Sequence, residues 1–243
     1  MLFRFFKKIK IGKNNYISSK AIIHNNVTIG DNNKIYDNVV IYPNTIIGNN
    51  NNIFNGNVIG EYPISSDNKY MNYDINLSKG VQIGNNNLFH VNNIIFGGLS
   101  NKTVIGDNNK FLGENHIGHD VLIKNNVTSY CRVLFGGYVV CLDHSNIGTY
   151  AFIQQQTIIG QYSMIGAQSA LTKNAFPYFV NINNKITRLN HIKISKLVSE
   201  NELILREIND KIFNKENITE ILNKLPVLLK TELEEYIIYI RTL

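Results

Sequence analysis

The residues best suited to chemistry in this chain form the segment Asn115-His116-Ile117-Gly118-His119-Asp120. Two histidines stand close together in the sequence, and the second is followed directly by a carboxylate. An imidazole, with a pKa of about 6.5, can take up and release a proton near neutral pH, and a carboxylate beside it can hold the ring in one tautomer. The segment is therefore a candidate for proton transfer. The competing interpretation is an ordinary surface histidine beside a turn aspartate.

A six-residue repeat surrounds this segment. Isoleucine occupies nine register positions in succession, every sixth residue from Ile11 to Ile59. The same phase returns over Ile83–Ile95, and a second run from Ile105 to Leu171 keeps the period, with Ser129 as its polar member. A period of six is neither the 3.6 of a helix nor the simple alternation of a strand. It indicates a short strand and a corner, repeated.

Three such hexads make an 18-residue triangular coil in which the register isoleucines stack inward on their copies in neighbouring coils. Glycine often follows the register residue, and asparagine crowds the remaining positions, as in Gly48-Asn49-Asn50-Asn51-Asn52. Both residue types tolerate the left-handed backbone of tight corners. The sequence therefore predicts an all-β fold, a left-handed parallel β-helix of hexapeptide repeats.

Two segments break the repeat, at about 61–79 and 96–103. The first carries Pro63 and no convincing hexads, and the second shifts the phase. We interpret both as loops extruded from the coil. Because loops on a rigid scaffold often carry function, we favour a functional role over a harmless surface insertion.

Helical signals replace the hexads after about Pro177. Ser199 with Glu202 has the pattern of a capping box, Asn217 can cap a further helix, and an amphipathic segment covers roughly 228–243. The sequence thus predicts a β-helix over residues 1–180 and a small C-terminal α-helical domain of three or four helices over 181–243.

Composition narrows the class of protein. The formal charge of +6 suits an anionic partner, but the basic residues are scattered, which argues against nucleic-acid binding. No apolar stretch is long enough to span a membrane. The two cysteines, Cys131 and Cys141, give neither a disulfide framework nor a metal motif, and we expect a cytoplasmic protein.

Several motifs together are similar to one known family. The His116-to-Asp120 segment is accompanied by Gly60-Glu61, Asp67-Asn68-Lys69-Tyr70, Ile153-Gln154-Gln155-Gln156 and Arg188-Leu189-Asn190. In this order and spacing they resemble the UDP-N-acetylglucosamine O-acyltransferases of lipid A biosynthesis, over nearly the whole chain. The hexads are shared by many acyltransferases, whereas the histidine segment and the Asp-x-Lys-Tyr loop are more specific.

The resemblance implies roles for individual residues. His119 matches the general base, Asp120 its orienting neighbour, and the backbone N–H of Gly137 would occupy the oxyanion position. Substrate-binding residues implied in the same way are Asp67, Lys69, His116, Gln155 and Asn190, and the region implied to measure acyl-chain length contains Met164 and Ala167. Asp67 and Lys69 also fit a plain solvated loop pair.

The resemblance further implies the partners: a homotrimer, a nucleotide-sugar acceptor, and an acyl carrier protein or acyl-coenzyme A as donor, with no cofactor and no metal. The chemistry needs a base for the attacking hydroxyl and a donor for the tetrahedral oxygen, but no covalent intermediate. This suits a chain without an obvious nucleophilic cysteine or serine motif.

Three departures from the family pattern bear on substrate and carrier. Phe96 and Tyr138 stand where the family has histidines, and Lys196-Leu197 replaces the usual pair of arginines. With Phe96 and Tyr138 in place of histidines, the substrate pocket would be less polar than in the family. This leaves open a second reaction, N-acylation of a UDP- or dTDP-amino-deoxysugar with acyl-coenzyme A. A more remote alternative is a β-helix zinc enzyme of the carbonic anhydrase type, which holds zinc between subunits; here His116 and His119 would supply two ligands and His90 or His144 the third.

Overall fold

In the computed structural model, residues 8–63, 78–191 and 195–242 are described. Most of them form a left-handed parallel β-helix in which each triangular coil contributes one short strand to each of three sheets. We call these sheets faces 1, 2 and 3, in the order in which the chain enters them. The predicted fold is confirmed.

The strands are assigned to the faces as follows. Face 1 contains β1 (Lys10–Ile11), β4 (Thr28–Ile29), β7 (Ile46–Ile47), β10 (Val81–Ile83), β13 (Thr103–Ile105), β16 (Leu122–Ile123), β19 (Val140–Cys141) and β22 (Ile158–Ile159). Face 2 contains β2 (Tyr16–Ile17), β5 (Lys34–Ile35), β8 (Asn52–Ile53), β11 (Leu88–Phe89), β14 (Lys110–Phe111), β17 (Thr128–Ser129), β20 (Asn146–Ile147), β23 (Met164–Ile165), β25 (Phe179–Ile182) and β26 (Lys185–Leu189). Face 3 contains β3 (Ile22–Ile23), β6 (Val40–Ile41), β9 (Val58–Glu61), β12 (Ile94–Phe96), β15 (His116–Ile117), β18 (Leu134–Phe135), β21 (Phe152–Ile153) and β24 (Ala170–Leu171).

The register residues form the core. From Ile29 to Leu171 they are almost completely buried, including Ser129 and Cys141. Ile11, in the first coil described, is 49% exposed, since within the described residues its strand β1 pairs only with β4. Periodicity marks such a residue as inward, but it cannot reveal that β1 pairs with only one strand among the described residues.

Asparagine side chains join the coils at the corners. Asn51 is fully buried, and both its backbone N–H and its side-chain amide donate to Asn33 Oδ1, at 2.9 and 3.0 Å. Asn87 donates to Asn51 Oδ1 in the same way. The adjacent corner residues Asn32, Asn50 and Asn86 have φ near +58°. Asparagine thus supplies both the left-handed turn and a partner for a buried N–H, which explains its abundance.

The two insertions change the stacking offset, which is the sequence separation between equivalent residues in adjacent coils. It is 18 between Asn125 and Asp143, 36 between Asn49 and Asn85, and 22 between Asn85 and Asp107. Most of the first predicted loop lies outside the described residues. The second loop comprises 97–102, because its predicted end residues Phe96 and Thr103 belong to β12 and β13.

The C-terminal part adds two strands to face 2 and packs its helices against face 1. Strands β25 and β26 extend face 2, and the helices follow as α1 (Lys196–Glu200), α2 (Glu202–Phe213), α3 (Thr219–Leu222) and α4 (Val227–Thr242). Their apolar side chains share a second core with Val140 and Ile158. None of the four helices is long and apolar enough to cross a membrane, in a search limited to the described residues.

The predicted capping box is wrong. Ser199 lies inside α1, α2 begins after Asn201, and neither helix has a side-chain cap bond. The short helix α1 takes up the residues that the pattern assigned to a cap. The predicted domain division at 180/181 stays a prediction, and the hairpin over 179–189 crosses it as part of face 2.

Candidate active site

His119 and Asp120 form the corner between face 3 and face 1. Strand β15 ends at Ile117, Gly118 follows, and Asp120 takes φ of +57°, as the corner requires. The side chain of His119 is 19% exposed, whereas that of Asp120 is 2% exposed. The turn and the functional interpretations of Asp120 are therefore compatible, because the residue turns the chain and directs its carboxylate inward beside the histidine.

The carboxylate of Asp120 is held from several sides. Its Oδ2 lies 2.9 Å from His119 Nδ1 and accepts the N–H of Leu99 at 2.7 Å. Its Oδ1 accepts the N–H groups of Ser100 and Asn101, at 2.9 and 2.6 Å. Burial alone would raise the pKa of the Asp120 carboxyl, but the hydrogen bonds from His119, Asn101, Leu99 and Ser100 outweigh it and lower this pKa. Asp120 is therefore a carboxylate at neutral pH.

This carboxylate determines the tautomer of His119. An ionised carboxylate only accepts hydrogen bonds, so Nδ1 must carry the proton. Nε2 is then left with a lone pair, and it has no hydrogen-bond partner among the described residues.

Gly137 lies directly against this imidazole. A Cβ at position 137 would be 2.6 Å from Cε1 and 2.7 Å from Nε2 of His119, so no larger residue fits without moving the ring. The backbone N–H of Gly137 finds no acceptor in the described part of the chain. The next coil thus places the backbone of Gly137, whose N–H has no acceptor among the described residues, against the imidazole.

A cleft of about 190 Å³ opens at this point. Its lining residues are Phe96, His116, Gly118, His119, Leu134, Phe135, Gly136 and Gly137. The ring of His116 lies against that of Phe96, with the two centroids 4.8 Å apart. Burial lowers the pKa of His116, so this ring is neutral at neutral pH and can donate one hydrogen bond and accept another.

Tyr138 borders the same histidine. Its ring is perpendicular to that of His119, at 88° with centroids 5.1 Å apart, and its hydroxyl lies 3.0 Å from Ser100 Oγ. The sequence identified Tyr138 as a departure from the family but gave no indication of these contacts. Ser100 and its neighbours in the second loop were missed as site residues. The Gly97-Gly98 pair is the signal that could have pointed to them, because glycine permits a close approach of the backbone.

The other predicted site residues lie in different surroundings. Gln155 is exposed at the corner one coil beyond Gly137. Asn190 is 2% exposed, and its side-chain amide donates to the Tyr162 carbonyl at 2.8 Å. Met164 is partly buried on face 2, and Ala167 is exposed at the corner that follows. Asp67 and Lys69 lie outside the described residues.

The zinc alternative places its ligands on two subunits, so a single chain bears on it only in part. Among the described residues there is no group of three or more His, Cys, Asp or Glu side chains that could hold a metal ion. His90 is tilted against Phe54, and His144 stacks on Tyr162.

Comparisons with known proteins agree with the resemblance seen in the sequence. A family model for the bacterial transferase hexapeptide (six repeats) matches residues 8–41. An acyl-carrier-protein–UDP-N-acetylglucosamine O-acyltransferase from Nautilia profundicola is 37% identical over 106 residues, which cover 42% of this chain and 41% of that protein. A protein of the same name from Sinorhizobium fredii is 34% identical over 76 residues, covering 31% of this chain and 28% of that protein. The aligned segment thus spans well under half of these curated relatives.

Solved structures match over a greater length. A UDP-N-acetylglucosamine acyltransferase from Bacteroides fragilis superposes with a TM-score of 0.78 at 29% identity, covering 99% of this chain and 97% of that one. A structure from Acinetobacter baumannii gives a TM-score of 0.70 at 27% identity and covers 87% of each chain. The predicted resemblance to hexapeptide-repeat acyltransferases is confirmed.

Proposed function

We propose that this protein is an acyltransferase that moves an acyl group from a carrier thioester to a hydroxyl of a UDP-linked N-acetylglucosamine or a close analogue. The observation that carries the proposal is the pairing of His119 with Asp120 in a cleft that Gly137 also lines. The relatives named above, with the activity that their names state, support the same reaction.

In this reaction His119 is the general base. Asp120 accepts the Nδ1 proton, which leaves Nε2 to take the proton from the sugar hydroxyl as that oxygen attacks the thioester carbonyl. The negative charge of Asp120 also stabilises the imidazolium that results. When the tetrahedral intermediate collapses, the carbon–sulfur bond breaks and the imidazolium can return its proton to the departing thiolate.

The tetrahedral oxygen needs a donor at the moment when charge develops on it. The N–H of Gly137 is suited to this task because it is held by the coil and has no acceptor within the described residues. One such donor is commonly worth roughly 3 kcal/mol of transition-state stabilisation. His116, neutral and in the same cleft, is suited to a hydrogen bond with the sugar.

The proposed assembly is a closed homotrimer. Face 3 carries an outward apolar stripe, formed by Ile22 (55% exposed), Ile94 (38%), Leu134 (39%) and Phe152 (44%). His116 lies in this stripe, paired between Ile94 and Leu134. A second copy of the chain that covers the stripe would also close the cleft, which is how a cyclic assembly with one kind of interface would complete three equivalent sites.

The donor in this proposal is an acyl carrier protein or acyl-coenzyme A, both anionic, which agrees with the net charge of +6. Neither cysteine is paired, and we keep a cytoplasmic location as part of the proposal. The reaction requires no cofactor beyond the thioester.

The test is direct. Purified protein is offered UDP-N-acetylglucosamine with acyl-carrier-protein thioesters and, in parallel, UDP- and dTDP-amino-deoxysugars with acyl-coenzyme A, and products are identified by mass spectrometry. Turnover of the first set supports the proposal. Turnover of the second set alone would replace it with N-acylation, for which the less polar wall at Phe96 leaves room. Absence of turnover and of nucleotide-sugar binding would refute acyl transfer altogether.

A further inference from the structure

The proposed base His119 and three residues around it form a closed ring of contacts. His119 is hydrogen-bonded to Asp120, and Asp120 accepts the backbone N–H of Ser100 at 2.9 Å. The side chain of the same Ser100 lies 3.0 Å from the hydroxyl of Tyr138, and the ring of Tyr138 stands against that of His119. Ser100 therefore connects the two residues that border the imidazole, one through its backbone and the other through its side chain.

The ring of contacts unites three separate parts of the fold. His119 and Asp120 belong to one coil, Tyr138 to the next, and Ser100 to the second loop. The backbone N–H of Tyr138 also donates to the His119 carbonyl at 3.0 Å, so the two coils are already in register at this corner. Ser100 and Tyr138 are joined across 38 residues by a bond that no repeat of the coil requires.

We propose that Tyr138 and Ser100 are a positioning pair that holds the imidazole of His119 in its productive orientation. The inference rests on the proposed role of His119 as the base. A single hydrogen bond at Nδ1 leaves the ring able to swing about its bond to Cβ, and Gly137 has no side chain to oppose that motion. The perpendicular ring of Tyr138 opposes it, and the bond to Ser100 fixes the Tyr138 ring in turn.

This arrangement gives a physical meaning to the departure at position 138. A histidine side chain is shorter than that of tyrosine, and it has no hydroxyl to place at the second loop. Tyrosine reaches the loop, and it contacts His119 with the body of its ring on the way. His119 is thereby connected to the second loop in two ways, through Asp120 and through Tyr138.

The experiment removes the same hydrogen bond from either end. Tyr138→Phe and Ser100→Ala are each expected to lower kcat by roughly two- to tenfold, the usual worth of one hydrogen bond, with KM values unchanged. The double variant should lose no more than either single one, because both changes break one contact. Tyr150→Phe is the matched control: Tyr150 has a similar corner conformation, with φ of +62°, and its hydroxyl is bonded to Arg132 instead, so kcat should not change.

Measuring Tyr138→Phe in a second protein, one that already lacks His119, distinguishes a positioning role of Tyr138 from a general contribution to the fold. In His119→Ala protein, Tyr138→Phe should leave the residual rate unaltered, since the group that it positions is gone. An equal loss in both backgrounds, or full additivity of Tyr138→Phe and Ser100→Ala, would overturn the proposal.

A spectroscopic measurement does not depend on turnover. In protein labelled with ¹⁵N-histidine, the wild-type spectrum is expected to contain one His119 tautomer, protonated at Nδ1, and the two variants a mixture or a broadened signal. Identical His119 signals in wild type and variants would refute the positioning role. If the wild type transfers no acyl group, the proposed function fails, and these spectra still decide the question of positioning.

Discussion

The imidazole of His119 occupies the space that a side chain at Gly137 would need, with only 2.6 Å between Cε1 and the position of a Cβ. The two residues lie one coil apart, in consecutive turns of the same corner. Glycine at position 137 is therefore required by the histidine, and only secondarily by the backbone. No side chain at position 137 stands between the backbone of this residue and the imidazole.

Gly137→Ala is expected to displace the imidazole and to lower kcat by about 10²-fold, since small displacements of a catalytic group can cost this much. The added methyl should also lower the melting temperature by a few degrees. His119→Ala makes room for it, so in that background Gly137→Ala should have almost no effect on melting. An equal destabilisation in both backgrounds would mean that the methyl collides with something other than the ring.

His119→Ala is expected to lower kcat by roughly 10²–10⁴-fold with little change in nucleotide-sugar binding or melting temperature. The reason is the loss of the proton acceptor at Nε2. His90→Ala is the control, because His90 is exposed on the corner between face 2 and face 3. A variant that keeps more than half of the wild-type activity would show that His119 is not the base.

Asp120→Asn tests the carboxylate in two ways. Activity should fall by about 10²-fold or more, because an amide no longer fixes the Nδ1-protonated tautomer. Stability should respond to pH: the folded-state pKa of Asp120 is below its ordinary value of about 3.9, so its contribution is present above that value and is lost as the pH falls through the folded pKa.

Urea unfolding at pH 7 and at pH 3 measures this difference. The wild type should exceed Asp120→Asn in free energy of unfolding at pH 7, and the gap should narrow at pH 3. A gap that is constant between the two pH values would mean that the carboxylate is not preferentially ionised in the folded state.

The apolar stripe of face 3 predicts the effect of a charge placed on it. Phe152→Asp should convert the assembly to monomers in multi-angle light scattering at micromolar concentration and should abolish turnover. Lys34→Asp, an equally severe change on face 2, should leave the trimer intact. A wild-type protein that is monomeric at this concentration would contradict the assembly proposed above.

Sequence periodicity predicted the β-helix because the apolar character of each register residue indicates directly that this residue is buried. Ile47 and Phe135 are inward and buried as their phase requires. The site is different, since it depends on which coil lies above which. The phase shift of the second segment already implies the 22-residue offset, but no local pattern encodes that Ser100 contacts both Asp120 and Tyr138. The substrate contact of Asn190, which the resemblance implies, stays a prediction, and no pattern in the sequence indicated that its side-chain amide donates to the Tyr162 carbonyl.

The stacking offsets of 36 and 22 have an evolutionary consequence. Asn85 is hydrogen-bonded to Asn49 and Asp107 although these residues are 36 and 22 positions away in place of the regular 18. The β-helix therefore accepts inserted residues without losing these bonds between neighbouring coils. The entropic cost of lengthening such an excursion rises only with the logarithm of its length. A lineage can therefore lengthen or revise an inserted segment while the scaffold stays unchanged, and the second loop, which contacts Asp120 and Tyr138, is such a segment beside the proposed reacting groups.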